Sequence, residues 1–281
     1  MKTFGGIESQ FAAKEDSKII LQSIPYDGTS TWGKGADKGF DAFLDAAENM
    51  ELYDIETNSE VFRQGIYMPE PWADFAYPEE MYSEVYNRCK DLLASHNFLT
   101  FFGGEHSVSI GLIQAFYEYY DNLTVLQLDA HADLRPSYEG TLYNHACALH
   151  DASHNCNLIQ VGIRSMDVSE KQYMDYYKTY FADEMHYSRD WIDSSINQMT
   201  NDVYITLDLD VLDPSIMPAT GTPEPGGLTW YRLINYLQSV FEQKNVVGFD
   251  IVELAPIEGL TAPQFLAAKL YYKMLSYKFS K

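Results

Sequence analysis

The chain of 281 residues carries 41 Asp+Glu against 19 Lys+Arg, a formal charge of −22. A field of that sign repels phosphate backbones and anionic lipid, which excludes general nucleic-acid and membrane-surface binding and favours small cationic ligands. With 46% hydrophobic and only 21% charged residues, the chain can bury a large core and is not a disordered acidic polymer.

The first β-rich apolar run, Ile19 to Ile24, reads as a buried strand, and a helix is predicted over Phe40 to Met50. Helical spacing over Glu79 to Ser95 leads into a strand over Phe98 to Phe102, and Val108 to Tyr120 is again helical. Strands follow at Leu123 to Leu128, Leu158 to Val161 and Val203 to Leu207. A helix over Trp230 to Gln243, a strand over Val246 to Ile251 and a helix over Pro263 to Tyr277 complete the chain. This alternation predicts βαβ units, an α/β fold with a mainly parallel sheet and helices on both faces. No linker, repeat or low-complexity segment interrupts it, so residues 1–281 are expected to form one domain; the Pro/Gly-rich stretch from Pro214 to Gly227 reads as part of a site. The cysteines (Cys89, Cys147, Cys156) match no disulfide or zinc framework, and the first residues lack a basic segment followed by an apolar one, so a cytosolic protein is expected. No uncharged apolar run reaches the 18–20 residues or so of a membrane-spanning helix.

Ligands of parallel sheets sit at the carboxyl ends of the strands. After Leu123 to Leu128 comes DAHAD, in which Asp129, His131 and Asp133 alternate with alanines and, while the chain stays extended, share one face. An Asp at a strand end also serves as a turn or cap residue, but three ionisable groups aimed at one point call for a cation. Val203 to Leu207 is followed by Asp208 and Asp210, again on one face, and by Asp213, whose Asp-Pro-Ser setting marks a turn. The strand ending at Phe102 runs into Gly103, Gly104, Glu105 and His106; alone this histidine would be structural, but here it supplies a sixth ligand. Two His and four Asp from three strand ends form an oxygen-rich set that suits Mn²⁺, and six ligands exceed what one catalytic ion with an open position needs. Two ions that acidify water, and hydrolytic chemistry, are the expectation.

The sequence resembles the ureohydrolase family of arginases, agmatinases and related amidinohydrolases. The segments GGEHS, DAHAD and DLDVLDPS carry the likeness, which extends from IPYDGTSTWGKGADKG to GFDIVELAP and covers nearly the whole chain. It implies a three-layer arginase-like fold with about eight strands and two Mn²⁺ per subunit. By that likeness His106, Asp129, Asp133 and Asp208 would hold one ion and Asp129, His131, Asp208 and Asp210 the other, with Asp129 and Asp208 bridging. His145, in YNHACAL, matches a proton shuttle, Glu253 matches the acid that accepts hydrogen bonds from a substrate guanidinium, and Asp133 would also steady the attacking hydroxide. Glu105 stands where many members have Asp and is assigned to packing or support of the site.

The stretch RPSYEGTLYNHA and the loop GTPEPGGLTW resemble the agmatinase versions, so agmatine is the first expected substrate, giving urea and putrescine in polyamine biosynthesis. N-aminopropylagmatine and guanidinobutyrate follow, and arginine is disfavoured because Arg135 replaces an Asn that would hold its carboxylate. Glu139, or another acid at the mouth, is expected to meet the substrate's amine. The resemblance also implies a homo-oligomer, a trimer or hexamer. A non-catalytic relative that only binds metal or a guanidino ligand is the alternative of a different class.

Overall fold

Apolar runs rich in Ile, Val, Leu and Phe form the interior strands of the computed structural model, which describes residues 2–280. The strands are β1 (Ile19–Ile24), β2 (Ile66–Tyr67), β3 (Phe98–Gly103), β4 (Thr124–Leu128), β5 (Asn157–Ile163), β6 (Thr179–Phe181), β7 (Asp202–Asp208) and β8 (Asn245–Val252). Among the described residues they form one 8-stranded sheet in the order β2-β1-β3-β8-β7-β4-β5-β6. Every pairing is parallel, which agrees with and sharpens the expected mainly parallel sheet. Strands buried on both faces have no reason to alternate polar and apolar residues, and β1, β3 and β4 are buried throughout.

The helices are α1 (Gly39–Ala47), α2 (Pro78–Leu93), α3 (Val108–Tyr119), α4 (His150–Asn155), α5 (Ala182–Tyr187), α6 (Asp190–Gln198), α7 (Trp230–Gln243) and α8 (Ala262–Phe279). Helices α1, α7 and α8 cover one face of the sheet, where Phe43 packs on Phe102 with ring centroids 4.3 Å apart. Helices α2 and α3 cover the other, built around Val85, Cys89, Phe101 and Phe116. Close approach of that pair requires Gly111, because a Cβ there would sit 2.9 Å from the Tyr82 carbonyl oxygen. Pro78 at the first turn of α2, with Glu79 and Glu80 behind it, fits a helix N-terminus in both backbone geometry and charge.

Each of the six expected strands is present, as are the five expected helices. The sequence reading missed β2 and β6, edge strands of 2 and 3 residues, and the short helices α4, α5 and α6. No described helix is long and apolar enough to cross a membrane.

Register places the functional segments. Phe102 pairs with Ile251, Ile251 with Leu207, and Leu207 with Leu128, so β3, β8, β7 and β4 are level along one row. The residues just beyond that row are the GGEH turn, Glu253, Asp208 and Asp129. The chain runs from β3 directly to β4, yet β8 and β7 later insert between them. Such a break in strand order opens a crevice at the carboxyl ends.

Candidate metal centre and active site

The turn after β3 brings His106 to the middle of this crevice. A Cβ on Gly104 would lie 1.9 Å from the Tyr26 carbonyl oxygen, so only glycine allows the turn to pass the loop after β1. The His106 backbone N–H donates to Glu253 Oε1 at 2.8 Å, and Glu253 N–H donates to the Gly104 carbonyl at 2.8 Å, which locks the ends of β3 and β8 together. His106 is buried, and its Nδ1 lies 3.1 Å from Asp129 Oδ2, 3.1 Å from Asp133 Oδ2 and 3.5 Å from Asp208 Oδ2. Among the described residues that nitrogen has no partner in hydrogen-bond geometry. His131 Nδ1 lies 2.9 Å from Asp210 Oδ2 and 3.7 Å from Asp129 Oδ1.

Two groups of possible ligand atoms result, His106 with Asp129 and Asp208, and Asp129 with His131 and Asp210, each gathered within 4.8 Å. Asp129 belongs to both; Asp208 groups only with the first, and Asp133 approaches that group through His106. Backbone N–H groups aim the carboxylates: Asp129 Oδ1 accepts from His131 at 2.6 Å, Asp208 Oδ1 from Asp210 at 2.8 Å and Asp210 Oδ1 from Ala130 at 2.9 Å. Asp133 and Glu253 adopt φ of 52° and 69°, a left-handed backbone that Asp takes more readily than most residues and Glu takes rarely. Strain of this kind gathers at sites that the surrounding structure holds in place.

The electrostatics are those of a site lacking positive charge. Burial, then the charges of Asp210 and Asp129, raises the Asp208 carboxyl well above its ordinary range, and burial with Asp129 raises Asp133 to about 6. Burial and Glu105 raise Glu253 in the same way. Burial opposes charge on His131 too, but Asp210 and Asp129 outweigh it and hold the imidazole up to about 12. A divalent cation answers both facts at once, because it neutralises the clustered carboxylates and gives the orphaned His106 Nδ1 a partner. Buried Asp oxygens with two imidazoles fit a hard to borderline ion, and none of the three cysteines belongs to either group.

Above this floor opens a cleft of about 260 Å³, whose wall includes Arg135, Tyr138, His145, Asp167, Glu170 and Thr222. His145 is held by Thr29, whose Oγ1 lies 3.2 Å from Nδ1. Burial lowers its pKa to about 4, so the ring is neutral at pH 7. Arg135 stacks on Tyr138, 4.5 Å from the ring centroid, and lies 4.0 Å from both Asp167 and Glu170. Glu253, Asp133, His106, His131 and Asp208 also face this space.

The sequence profile described as Arginase family matches residues 17–276. The chain belongs to the arginase family. It is a hydrolase of the ureohydrolase type, acting on linear amidines. It is 34% identical over 273 residues to the N(1)-aminopropylagmatine ureohydrolase of Synechocystis sp., covering 93% of this chain and 89% of that protein. Over 269 residues it is 28% identical to the agmatinase of Pyrococcus horikoshii, covering 93% and 92% of the two chains. The crystal structure of the agmatine ureohydrolase of Thermoplasma volcanium matches with a TM-score of 0.88 at 27% identity, over 100% of this chain and 95% of that one.

In this arginase-family chain the segments named from the sequence converge, with one exception in placement. Glu139 lies exposed on the turn closed by Tyr138 and Thr141, and is absent from the cleft wall; Tyr138, Asp167 and Glu170 are there instead. Asp213 caps its turn as expected, accepting from Ser215 N–H at 3.0 Å and Gly226 N–H at 2.9 Å.

Support for the centre was largely missed. Behind His106, Nε2 lies 3.0 Å from Thr206 Oγ1, which donates to the buried Asp250 at 2.7 Å; Tyr204 and Ser109 donate to the same carboxylate at 2.6 and 3.1 Å. Thr206 and Asp250 are paired across β7 and β8. Their signal was present, since each is a polar residue inside an otherwise apolar strand. Arg164, just beyond β5, donates to the carbonyls of Asp210 (2.6 Å), Glu224 (2.8 Å), Gly162 (3.1 Å) and Pro225 (3.1 Å). It thereby fastens the loop that carries Thr222 to the turn that carries Asp210.

Proposed function

We propose that the chain binds two Mn²⁺ and hydrolyses the guanidinium group of a polyamine-tailed substrate, N1-aminopropylagmatine first and agmatine second. The observation that carries this reading is the pair of ligand groups sharing Asp129 around the unpartnered His106 Nδ1. His106, Asp129, Asp133 and Asp208 would hold one ion, and Asp129, His131, Asp208 and Asp210 the other. When bound, such ions supply the Lewis acidity that makes hydroxide available from water near neutral pH.

The protein's own groups do the remainder. Asp133, beside His106 and facing the cleft, accepts a hydrogen bond from the attacking water and holds it against the guanidinium carbon. Glu253 accepts from the guanidinium N–H groups, a charge-assisted contact that orients the planar cation. Water adds at that carbon, the bond to the alkyl nitrogen breaks, and urea leaves with the amine. His145, neutral at pH 7, takes a proton from the adding water and returns it to the departing nitrogen.

Agmatine, first in the sequence reading, moves to second place because identity is 34% to the aminopropylagmatine relative and 28% to the agmatinase. An acidic mouth agrees with a longer cationic tail. Asp167 and Glu170 are assigned to that tail in place of Glu139, since they line the cleft. The test is urea release by Mn²⁺-loaded protein from N1-aminopropylagmatine, agmatine, guanidinobutyrate and arginine, with Asp210→Ala as control. A kcat/KM highest for N1-aminopropylagmatine and abolished in the control is expected; no urea from any of the four, with metal bound, would overturn the reading.

A further inference from the structure

Glu105 and Thr29 are buried polar residues with no part in the chemistry above, and they lie behind His145. The Glu105 carboxyl receives four donors: Thr29 N–H at 3.3 Å, Thr29 O–H at 2.8 Å, Ser107 O–H at 2.7 Å and Ser107 N–H at 3.4 Å. Burial raises the Glu105 pKa to about 7; with the carboxyl ionised among these four donors, Thr29 spends its only hydroxyl proton on Glu105, and its oxygen can only accept from other partners. One lone pair accepts the His145 backbone N–H at 3.0 Å. The other meets His145 Nδ1 at 3.2 Å, and an acceptor opposite a ring nitrogen demands a hydrogen on that nitrogen. At 6% exposure Thr29 leaves little room for water to substitute.

We propose that Thr29, oriented by Glu105, is a positioning residue that fixes the neutral His145 as its Nδ1–H tautomer and leaves Nε2 as the ring's one proton acceptor. The functional importance of this tautomer rests on the proton-transfer role proposed for His145. Two side chains outside the ligand set, Thr29 on the loop after β1 and Glu105 beside the ligand His106, thus determine which ring nitrogen can exchange a proton. The glutamate that departs from the Asp of many family members spans Thr29 and Ser107 with its two oxygens.

The experiment compares Mn²⁺-loaded wild type with Thr29→Val, Thr29→Ser and His145→Asn. Thr29→Val keeps the shape and the backbone but not the hydroxyl acceptor, and is expected to lower kcat by about 10- to 100-fold with KM changed less than about twofold, a part of what one positioned acid–base group contributes. Thr29→Ser restores kcat to within about threefold, because the hydroxyl returns. Ring ¹⁵N shifts of His145, read in enzyme loaded with diamagnetic Cd²⁺ and assigned by their loss in His145→Asn, should give the Nδ1–H pattern in wild type and a tautomer mixture in Thr29→Val. An Nε2–H pattern in wild type, or a kcat loss that serine does not rescue, overturns the proposal. Full activity of His145→Asn would instead remove the catalytic role of His145, while the nitrogen shifts still decide the tautomer.

Discussion

Replacing Asp250 by Asn should be felt at His106, although the two side chains do not touch. The carboxylate is fully buried and accepts three hydroxyl donors, Tyr204 at 2.6 Å, Thr206 at 2.7 Å and Ser109 at 3.1 Å. Asparagine has nearly the same shape, so no cavity opens, but with its NH₂ in place of Oδ1 the Thr206 and Ser109 hydroxyls lose their acceptor. A hydrogen bond to a charged group is worth about 1.5–3 kcal/mol, so a loss of ~2 kcal/mol is expected. For a chain of 281 residues that lowers Tm by roughly 3–4 °C. The consequence for the centre follows from Thr206. While its proton goes to Asp250, its oxygen accepts from His106 Nε2–H, which leaves the Nδ1 lone pair toward the clustered carboxylates. A support of this kind is worth about 10- to 100-fold in metal affinity. The assay is a thermal melt of metal-free protein together with a Mn²⁺ titration followed by urea release. Asp250→Asn should melt lower and need about 10- to 100-fold more Mn²⁺, yet approach wild-type kcat once saturated. A metal-free Tm within about 1 °C of wild type would refute the hydrogen-bond accounting. Lower stability with unchanged Mn²⁺ affinity would refute the coupling to His106.

Arg164→Met removes donors from five carbonyls on three segments and should cost about 2–3 kcal/mol and raise KM, as the loop around Thr222 loosens. Arg164→Lys should not restore KM, because an ammonium lacks the planar fork that reaches all three, and full recovery with lysine would show that charge alone matters. Gly104→Ala is expected to give little soluble protein, since its Cβ would sit 1.9 Å from the Tyr26 carbonyl oxygen; a normal yield and Tm would mean that the turn can open. Remote from the site, burial would raise the Asp54 carboxyl, but Thr57 N–H and Lys273 outweigh it and hold the pKa below 3.8. A depressed carboxylate stabilises above its unfolded pKa and loses that contribution as pH falls through the folded value. The stability gap between wild type and Asp54→Asn, measured by urea unfolding, should be flat from about pH 7 to 5 and narrow below 3.8.

The interior of the sheet was legible because a strand buried on both faces is mostly apolar along its length, and β1, β3 and β4 carry no charge before the residue that follows them, while β8 carries only Asp250. The same abrupt change marked Asp129, Asp208 and His106. Strand β2 was not legible: two residues carry no periodicity, and Ile66 and Tyr67 are strand only because Ile19 and Ile20 lie beside them. Glu139 illustrates a different limit. Its place in the sequence, between a ligand and His145, says nothing of direction, and the turn at Gly140 turns it outward while Tyr138 goes in. Asp167 and Glu170 belong to a segment beyond β5, so their approach to the cleft depends on which strands are neighbours, which no local pattern carries. Thr29 is harder still, since its function is to accept from one residue 116 positions away and donate to another 76 away.

Strand order and register explain why so much charge can be buried in one place. β3, β8, β7 and β4 are level at Phe102, Ile251, Leu207 and Leu128, and all four side chains belong to the same hydrophobic cluster. The pleat therefore sends the preceding residues of β8, β7 and β4, Asp250, Thr206 and Gln127, to the opposite side of the sheet. There Thr206 and Gln127 reach the centre from below: Gln127 Nε2 donates to Asp129 Oδ2 at 2.8 Å, and Thr206 meets His106 Nε2 at 3.0 Å. One apolar row fixes the sheet, one polar row behind it orients two ligands, and the ligands themselves stand just past the strand ends. A slip of one residue in any of these strands would exchange the two rows and bury the polar groups among the phenylalanines and leucines of the other face. The hydrophobic core thus sets the register, and the register brings the carboxylates together, so their mutual repulsion falls on a frame too well packed to shift and is left for a cation to neutralise.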